Sequence, residues 1–320
     1  MRNLKNILIL FSILVSHTFA QTCCTSGTPI LSSLKMSVAN KNILQINLSY
    51  NYNILQDILD TDIKLNDNTR ERLTQSIILE LNYGFTKYFT LAALFTYVKQ
   101  SRTIKPIEGL QNNLDVLGIS DIVILGKYNL IQQNILSKND LTLGLGIKIP
   151  AGKFDVKEDN ILVPADLQPG TGSWDEIFWA YYSRAKIFSS PLNFILNLSY
   201  KLNGSSKRFG KQFGSYKFGN EFISTFGFVY FTNSVFTPTL FLRLRNTAHD
   251  EFSNEKIPNT GGWWLNLVAG GNVAVYKNLT FRISGQIPLY TYLNGVQLTT
   301  TFVGSASIIY RINTGSSLGI

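Results

Sequence analysis

The sequence predicts an antiparallel transmembrane β-barrel of about twelve strands, with ten to fourteen compatible with the pattern, on three observations. Apolar residues recur at every second position along most of the chain from residue 43 onward, the alternating segments mostly run to about ten residues, and the connections between them are alternately long and short. Period two is what a strand requires and a helix does not produce. Ten residues is about the length a tilted strand needs to cross hydrocarbon, whereas strands of soluble proteins are usually nearer five or six. Long loops on one side and short turns on the other are what an up-and-down outer-membrane barrel gives. A soluble sandwich, the competing architecture, has no reason to keep that alternation.

Residues 1–20 precede the barrel and read as a cleaved secretory signal. Arg2 and Lys5 make a positive start, Ile7 to Val15 is apolar except for Ser12, and Thr18-Phe19-Ala20 offers a small-x-small cleavage site. A retained anchor helix is the other reading, but the stretch is shorter than a bilayer span. Removal of residues 1–20 leaves 27 Lys and Arg against 20 Asp and Glu, a charge of +7, and a single histidine, His249. Residues 21–42 then form an N-terminal periplasmic segment holding the adjacent Cys23 and Cys24. In an oxidising compartment this pair could be a strained ring disulfide, an intermolecular bridge or a pair of soft-metal ligands. Two thiols without further ligands are a weak basis for a metal site.

The strands fall in order at 43–52, 72–84, 88–99, 118–130, 140–149, 175–187, 192–201, 216–230, 236–246, 263–275, 279–288 and 299–312, so the barrel occupies 43–312 and a tail follows at 313–320. In the first, Leu44, Ile46, Leu48, Tyr50 and Tyr52 share one face and Gln45, Asn47, Ser49 and Asn51 the other. The same sorting holds at Leu141, Leu143, Leu145 and Ile147, and at Phe194, Leu196, Leu198 and Tyr200. Val123, Leu125 and Phe178 interrupt the polar faces of their strands. Long connections are expected at 53–71, 100–117, 150–174, 202–215, 247–262 and 289–298, and short ones at 85–87, 131–139, 188–191, 231–235 and 276–278. Tyr50, Tyr52, Tyr83, Phe89, Tyr97, Tyr200, Tyr230, Trp263, Trp264 and Tyr310 lie near strand ends as an aromatic girdle, although aromatics are enriched in any strand.

Charged residues make up 15% of the chain, against roughly 25% in an average soluble domain. That scarcity suits a surface turned to lipid, where a Lys or Arg costs about 2–4 kcal/mol at mid-membrane. The outward sets above contain no Lys or Arg. No segment outside the leader approaches the roughly 18 apolar residues of a membrane helix.

Several motifs occur in a set order: Tyr83-Gly84-Phe85-Thr86, Gly118-Ile-Ser-Asp121, Gly126-Lys-Tyr128, Gly144-Leu-Gly-Ile-Lys-Ile-Pro-Ala-Gly152, Leu167-Gln-Pro-Gly-Thr-Gly-Ser-Trp-Asp175, the run from Phe281 to Thr300, and Tyr310-Arg-Ile312, together with Cys23-Cys24. In this the chain resembles the bacterial outer-membrane transporter family associated with the phenol meta-cleavage degradation pathway. The resemblance spans most of the chain after the leader. It implies a barrel with a channel role and no catalytic residues. The eight residues after Ile312 depart from barrels that stop at a terminal aromatic.

Lumen candidates are Lys148, Lys201, Lys217, Arg243, Arg245 and Arg282, with Glu80 and Glu221 as their acidic counterpart. A pore lined by Lys and Arg favours anions. Alternatively these charges pair across the lumen or meet lipopolysaccharide phosphates at the rim. The Gly- and Pro-rich connection 150–174 is expected to pack at or into the barrel mouth, with Gln168, Pro169, Gly170, Gly172, Trp174 and Asp175 forming a tight turn that narrows the passage; a solvated surface loop is the alternative. Lys201, Lys207, Arg208, Lys211 and Lys217 form a basic stretch suited to phosphate-rich outer-leaflet lipid rather than nucleic acid. Asp57, Asp60, Asp62 and Asp67 lack the Gly and terminal Glu of a calcium loop. Gly144, Gly146, Ser199, Gly219, Gly227, Gly270 and Ser284 favour an open lumen, Phe241 and Phe302 a filled one.

With His249 alone beside Asp250 and Glu251, neither a barrel phospholipase nor a barrel protease has its constellation, so the sequence does not read as an enzyme. The reading is a channel or passive transporter for small solutes, anionic or aromatic, in the outer membrane of a Gram-negative bacterium. The alternative is a non-conducting structural, adhesion or assembly barrel. Expected partners are outer-membrane lipid and lipopolysaccharide, a small-molecule solute, and the barrel-assembly machinery during biogenesis, with no nucleic acid and no cofactor.

Overall fold

The computed structural model describes residues 38–105, 112–134, 137–187, 190–207, 209, 214–231 and 235–315. Cys23, Cys24, the leader, Arg208, Lys211 and the last residues of the tail lie outside the described residues. Twelve antiparallel strands close into a barrel. They are β1 (Ile43–Asp60), β2 (Arg70–Gly84), β3 (Phe89–Ile104), β4 in two pieces (Asn112–Ile119 and Ile122–Ile131), β5 (Asn139–Ile149), β6 (Asp175–Ile187), β7 (Leu192–Asn203), β8 (Glu221–Tyr230), β9 (Phe236–Thr247), β10 (Gly262–Tyr276), β11 (Leu279–Leu293) and β12 (Val296–Asn313). Each pairs with its neighbour in sequence, and β1 pairs with both β2 and β12, so no barrel edge is left open. The closing ladder runs the whole length of both strands, from Ile43 opposite Asn313 to Asp60 opposite Val296.

The apolar face of most strands points outward, with Leu48, Tyr50, Ile77, Leu145, Leu240, Ile283 and Tyr310 all exposed. Polar partners point in: Gln45, Asn47, Ser49 and Asn51 of β1 are buried. The aromatic residues Tyr50, Tyr52, Phe89, Tyr97, Tyr200, Tyr230, Trp263 and Tyr310 are exposed, as a girdle requires. Tyr83 is only half-exposed, and Trp264 departs altogether. It is buried in the lumen, where its Nε1 donates to Thr299 Oγ1 at 2.9 Å.

Several boundaries differ from the sequence expectation, each for a local reason. β1 continues to Asp60, because bulges at Leu55 and Asp57 shift the alternation and turn Leu55 and Ile58 onto an apolar cluster with Leu298. β11 passes through Pro288 to Leu293, so the sixth long connection is instead the two-residue turn Asn294-Gly295, with Gly295 at φ +84°. Pro288 is tolerated because its partner ladder to β12 ends at Gln286 opposite Val303 and a bulge interrupts the ladder to β10. β4 is broken at Ser120-Asp121. Val123 and Leu125, which spoil its polar face, belong to an apolar cluster inside the lumen. β6 has the opposite facing to the one expected: Ile177, Trp179 and Tyr181 are buried inside and Phe178 is exposed outside. Lys99 is a cation on the outer surface, paired with Asp115 at 3.3 Å.

Residues 216–217 lie outside the barrel wall. They join 205–206, 251–252 and 255–256 in a small sheet built from the β7–β8 and β9–β10 connections. In this sheet Asp250 accepts from the Tyr216 hydroxyl at 2.6 Å and from Gly219 N at 2.8 Å. Burial raises the Asp250 carboxyl above its ordinary value, and burial with the adjacent Asp250 raises the Tyr216 phenol well above its own.

Candidate functional site

The lumen is organised by what the twelve strands turn inward and by the β5–β6 connection, residues 150–174. Residues 165–171 of that connection are all buried. Val163 and Leu167 pack on Leu114 and Val116 of β4, and Ala165 packs with Phe209, Tyr216 and Phe218. The Gln168 side chain braces the segment from within, accepting from Val156 N at 3.0 Å and donating to Val156 O at 3.0 Å and Val163 O at 2.8 Å. Pro169 sits against Gly118, and Gly170 against Gly152. Gly172, at φ +69°, lets the chain turn beside Phe154. Trp174, expected to narrow the passage with these residues, is instead 57% exposed, because the strand beginning at Asp175 turns Asp175 inward and its predecessor outward.

An ionic cluster of the wall that the segment hydrogen-bonds to, and one ion pair, tie the segment in place. Asp121, at the break in β4, accepts from Gly152 N at 3.0 Å, Thr171 N at 3.0 Å and Thr171 Oγ1 at 2.7 Å. Lys148 Nζ lies between Asp121 at 3.0 Å and Asp175 at 2.6 Å and also donates to Thr171. Asp175 in turn accepts from Ser173 Oγ at 2.9 Å and Gly204 N at 3.1 Å. All three charged side chains are essentially inaccessible. On the opposite flank Arg72, 1% exposed, pairs with Asp166 at 2.9 Å and donates to Gln100. Loop 150–174 is therefore held by charge-assisted hydrogen bonds, which are stronger than neutral ones.

The other lumen candidates separate into paired and unpaired cations. Glu221 receives both Lys201, at 3.4 Å, and Arg245, at 2.7 Å, and Arg245 stacks over Trp264 at 4.8 Å. Lys217 is not in the lumen; it sits in the small outer sheet against Glu251 at 3.6 Å. Arg243 and Arg282 hydrogen-bond only to neutral acceptors among the described residues, and the carboxylate that acts on Arg282, that of Glu80, is not at ion-pair distance. Arg243 donates to Gln286 at 2.6 Å and Thr225 at 3.4 Å, and Arg282 Nε donates to Asn272 Oδ1 at 2.7 Å.

Between the ionic contacts and the short-turn end lies an apolar layer of Ala92, Leu94, Val123, Leu125, Ile177, Trp179, Tyr181 and Ile223. Gly144, expected to favour an open lumen, instead makes room for Trp179, which occupies the space beside it. Beneath it, toward the turns, the lumen keeps a cavity of about 190 Å³ whose lining includes Ile195, Val229, Phe241, Val268 and Arg282. Phe302, by contrast, faces outward.

Sequence reasoning missed Arg72, Asp121, Lys127 and Asp166. Lys127 is buried, donates to Asn82 Oδ1 at 3.2 Å and lies 5.0 Å from the Trp179 ring. Its inward facing follows from the alternation of Val123 and Leu125, the two apolar residues that interrupt the polar face of this strand. Of the four aspartates in the first long connection, Asp57 pairs with Lys64 at 2.5 Å and Asp67 accepts from Thr69 N and Oγ1. Among the described residues no group of three His, Cys, Asp or Glu could hold a metal ion.

A closed antiparallel barrel with an apolar exterior, an aromatic girdle and a polar, loop-filled lumen is an outer-membrane β-barrel. Solved structures agree on this fold. The COG4313 outer membrane channel from Pseudomonas putida F1 superposes with a TM-score of 0.69 at 12% identity, over 86% of this chain and 97% of that one. The translocator domain of the autotransporter NalP from Neisseria meningitidis gives 0.50 at 7% identity, over 88% and 92%. No protein-family model matches the sequence, and a search of curated proteins gives no significant match.

Proposed function

We propose that this chain is a passive channel for small solutes in the outer membrane, exported by its leader, with loop 150–174 as its constriction and a preference for anions. One observation carries the reading: the long-loop end of the lumen is filled by a segment held through hydrogen bonds and ion pairs, while the short-turn end is hollow. A constriction so held can move without breaking the wall, because the twelve ladders do not depend on it. The anion preference rests on Arg243 and Arg282, two lumen cations that face no carboxylate at ion-pair distance. The paired cations Lys148, Lys201 and Arg245 contribute little to it. The long-loop end faces outward, toward lipopolysaccharide, as outer-membrane barrels are built.

In planar bilayers the purified protein should conduct, and deletion of 153–171 should raise its single-channel conductance severalfold. Unchanged conductance after that deletion would refute the constriction. Under a salt gradient the reversal potential should report anion preference, and Arg243→Gln with Arg282→Gln should move it toward zero; a cation preference in the parent protein would overturn this part. The non-conducting structural barrel is favoured by the apolar layer across the middle of the lumen. A protein silent both before and after loop deletion would establish that reading instead.

A further inference from the structure

We infer that the short-turn cavity is a binding site for a small monocarboxylate with a compact apolar body, a deepening that rests on the channel reading. The cavity's size sets the body. At about 190 Å³ it exceeds the roughly 150 Å³ of an apolar protein cavity able to take up benzene. Its walls set the chemistry: Ile195, Val229, Phe241 and Val268 surround an apolar group on several sides, and Ile195 continues into the apolar layer above.

Arg282 sets the head group. Among the described residues it is the one charged residue lining the cavity, and the carboxylate of Glu80, which acts on it, is not within ion-pair distance. Asn272 Oδ1 takes its Nε proton at 2.7 Å, which fixes the plane of the guanidinium and leaves the two Nη groups for a ligand. That planar pair of donors matches the two oxygens of a carboxylate. Asn197, Thr225 and Ser284 add neutral donors around the same space. A purely apolar solute would leave the two Nη groups without an acceptor, and a small inorganic anion would leave the walls unfilled. The two parts of the site together select a ligand that has both features.

The test is calorimetric titration of the full chain in detergent with benzoate, benzyl alcohol, acetate and inorganic phosphate. Benzoate should bind about tenfold or more tighter than each of the others, since one charge-assisted contact to a half-buried guanidinium is at stake. Arg282→Gln should reduce benzoate to the level of benzyl alcohol, and Arg282→Lys should keep an intermediate preference, because an ammonium supplies the charge without the paired donors. Heat-modifiable electrophoretic mobility verifies that each variant is a folded barrel. Equal binding of benzoate and benzyl alcohol, equal binding of benzoate and phosphate, or an unchanged preference in the folded Arg282→Gln protein would overturn the site. Conductance is measured in parallel. A silent protein that still selects benzoate removes the channel and keeps the site, whereas a conducting protein without selection removes the site and keeps the channel.

Discussion

Replacing Lys148 with Met should destabilise the protein by about 3–5 kcal/mol and release loop 150–174, because it leaves two carboxylates buried without their shared counter-charge. Lys148 is 1% exposed, and Asp121 and Asp175 lie on either side of its ammonium at 3.0 and 2.6 Å. Methionine fills much the same volume, so the loss is one of charge and hydrogen bonding rather than of packing. Asp121 still accepts from Gly152 and Thr171, and Asp175 from Ser173 and Gly204. The mutual repulsion of the carboxylates is then relieved most easily by moving the loop, which contributes Thr171 and Ser173, rather than the strands. The heat-modifiability transition should fall, proteolysis within 153–171 should accelerate, and conductance should rise. Adding Asp175→Asn should recover part of the stability, since the amide keeps the acceptor at Oδ1 and removes one charge. A Lys148→Met protein within about 0.5 kcal/mol of the parent, the range of an ordinary surface substitution, would show that the ionic contact is not what holds the loop.

Gly170→Val should open the same passage by a steric route. A Cβ at Gly170 would stand 2.7 Å from Gly152 C and Cα and 2.8 Å from Asp121 Oδ1. Two of those three neighbours are backbone and cannot rotate away, so the tip of the loop must lift. Overpacking of this kind costs about 1–3 kcal/mol where the surroundings yield, and here they yield by giving up the Asp121–Thr171 hydrogen bonds. Barrel stability should change little, and conductance should approach that of the loop deletion. Gly285→Ala is the matched control, because its added methyl would meet only the Phe302 ring at 3.5 Å, an ordinary contact. Unaltered conductance and proteolytic protection in Gly170→Val would remove the loop from the gating scheme.

Much of the barrel was readable from spacing alone, because a sheet with lipid on one side and a polar lumen on the other imposes alternation directly on the sequence. Leu44 to Tyr52 against Gln45 to Asn51 illustrates this, and all twelve strands were found. The reading failed where the lumen is not polar. Ile177, Trp179 and Tyr181 line the inside of β6, so both of its faces carry apolar residues and the facing was inverted. It also failed where a bulge moves the phase, as at Leu55 and Asp57, and where Pro288 looked like an end but sits beyond the ladder to β12. Arg243 and Arg282, the latter at the cavity, were visible as inward positions. Their distinction from Lys201 and Arg245 was not, since pairing depends on which strand presents Glu221 and no local pattern encodes that. Asp121 and Asp166 reach their partners across separations of 50 and 94 residues, which single-sequence spacing does not report.

The full-length ladder between β1 and β12 has a kinetic consequence. It joins the two ends of the barrel, so its closure requires the longest excursion of chain of any pairing in the wall, and non-local pairing of this kind slows folding. Until β12 arrives, the backbone N–H and C=O groups of Ile43 to Asp60 that face it stand as an open edge able to accept a strand from another chain. A chain that stops short of Val296 therefore has eleven strands and no means of closure. The last eighteen residues of the barrel, Val296 to Asn313, decide whether the preceding ones become a monomer or the start of an aggregate.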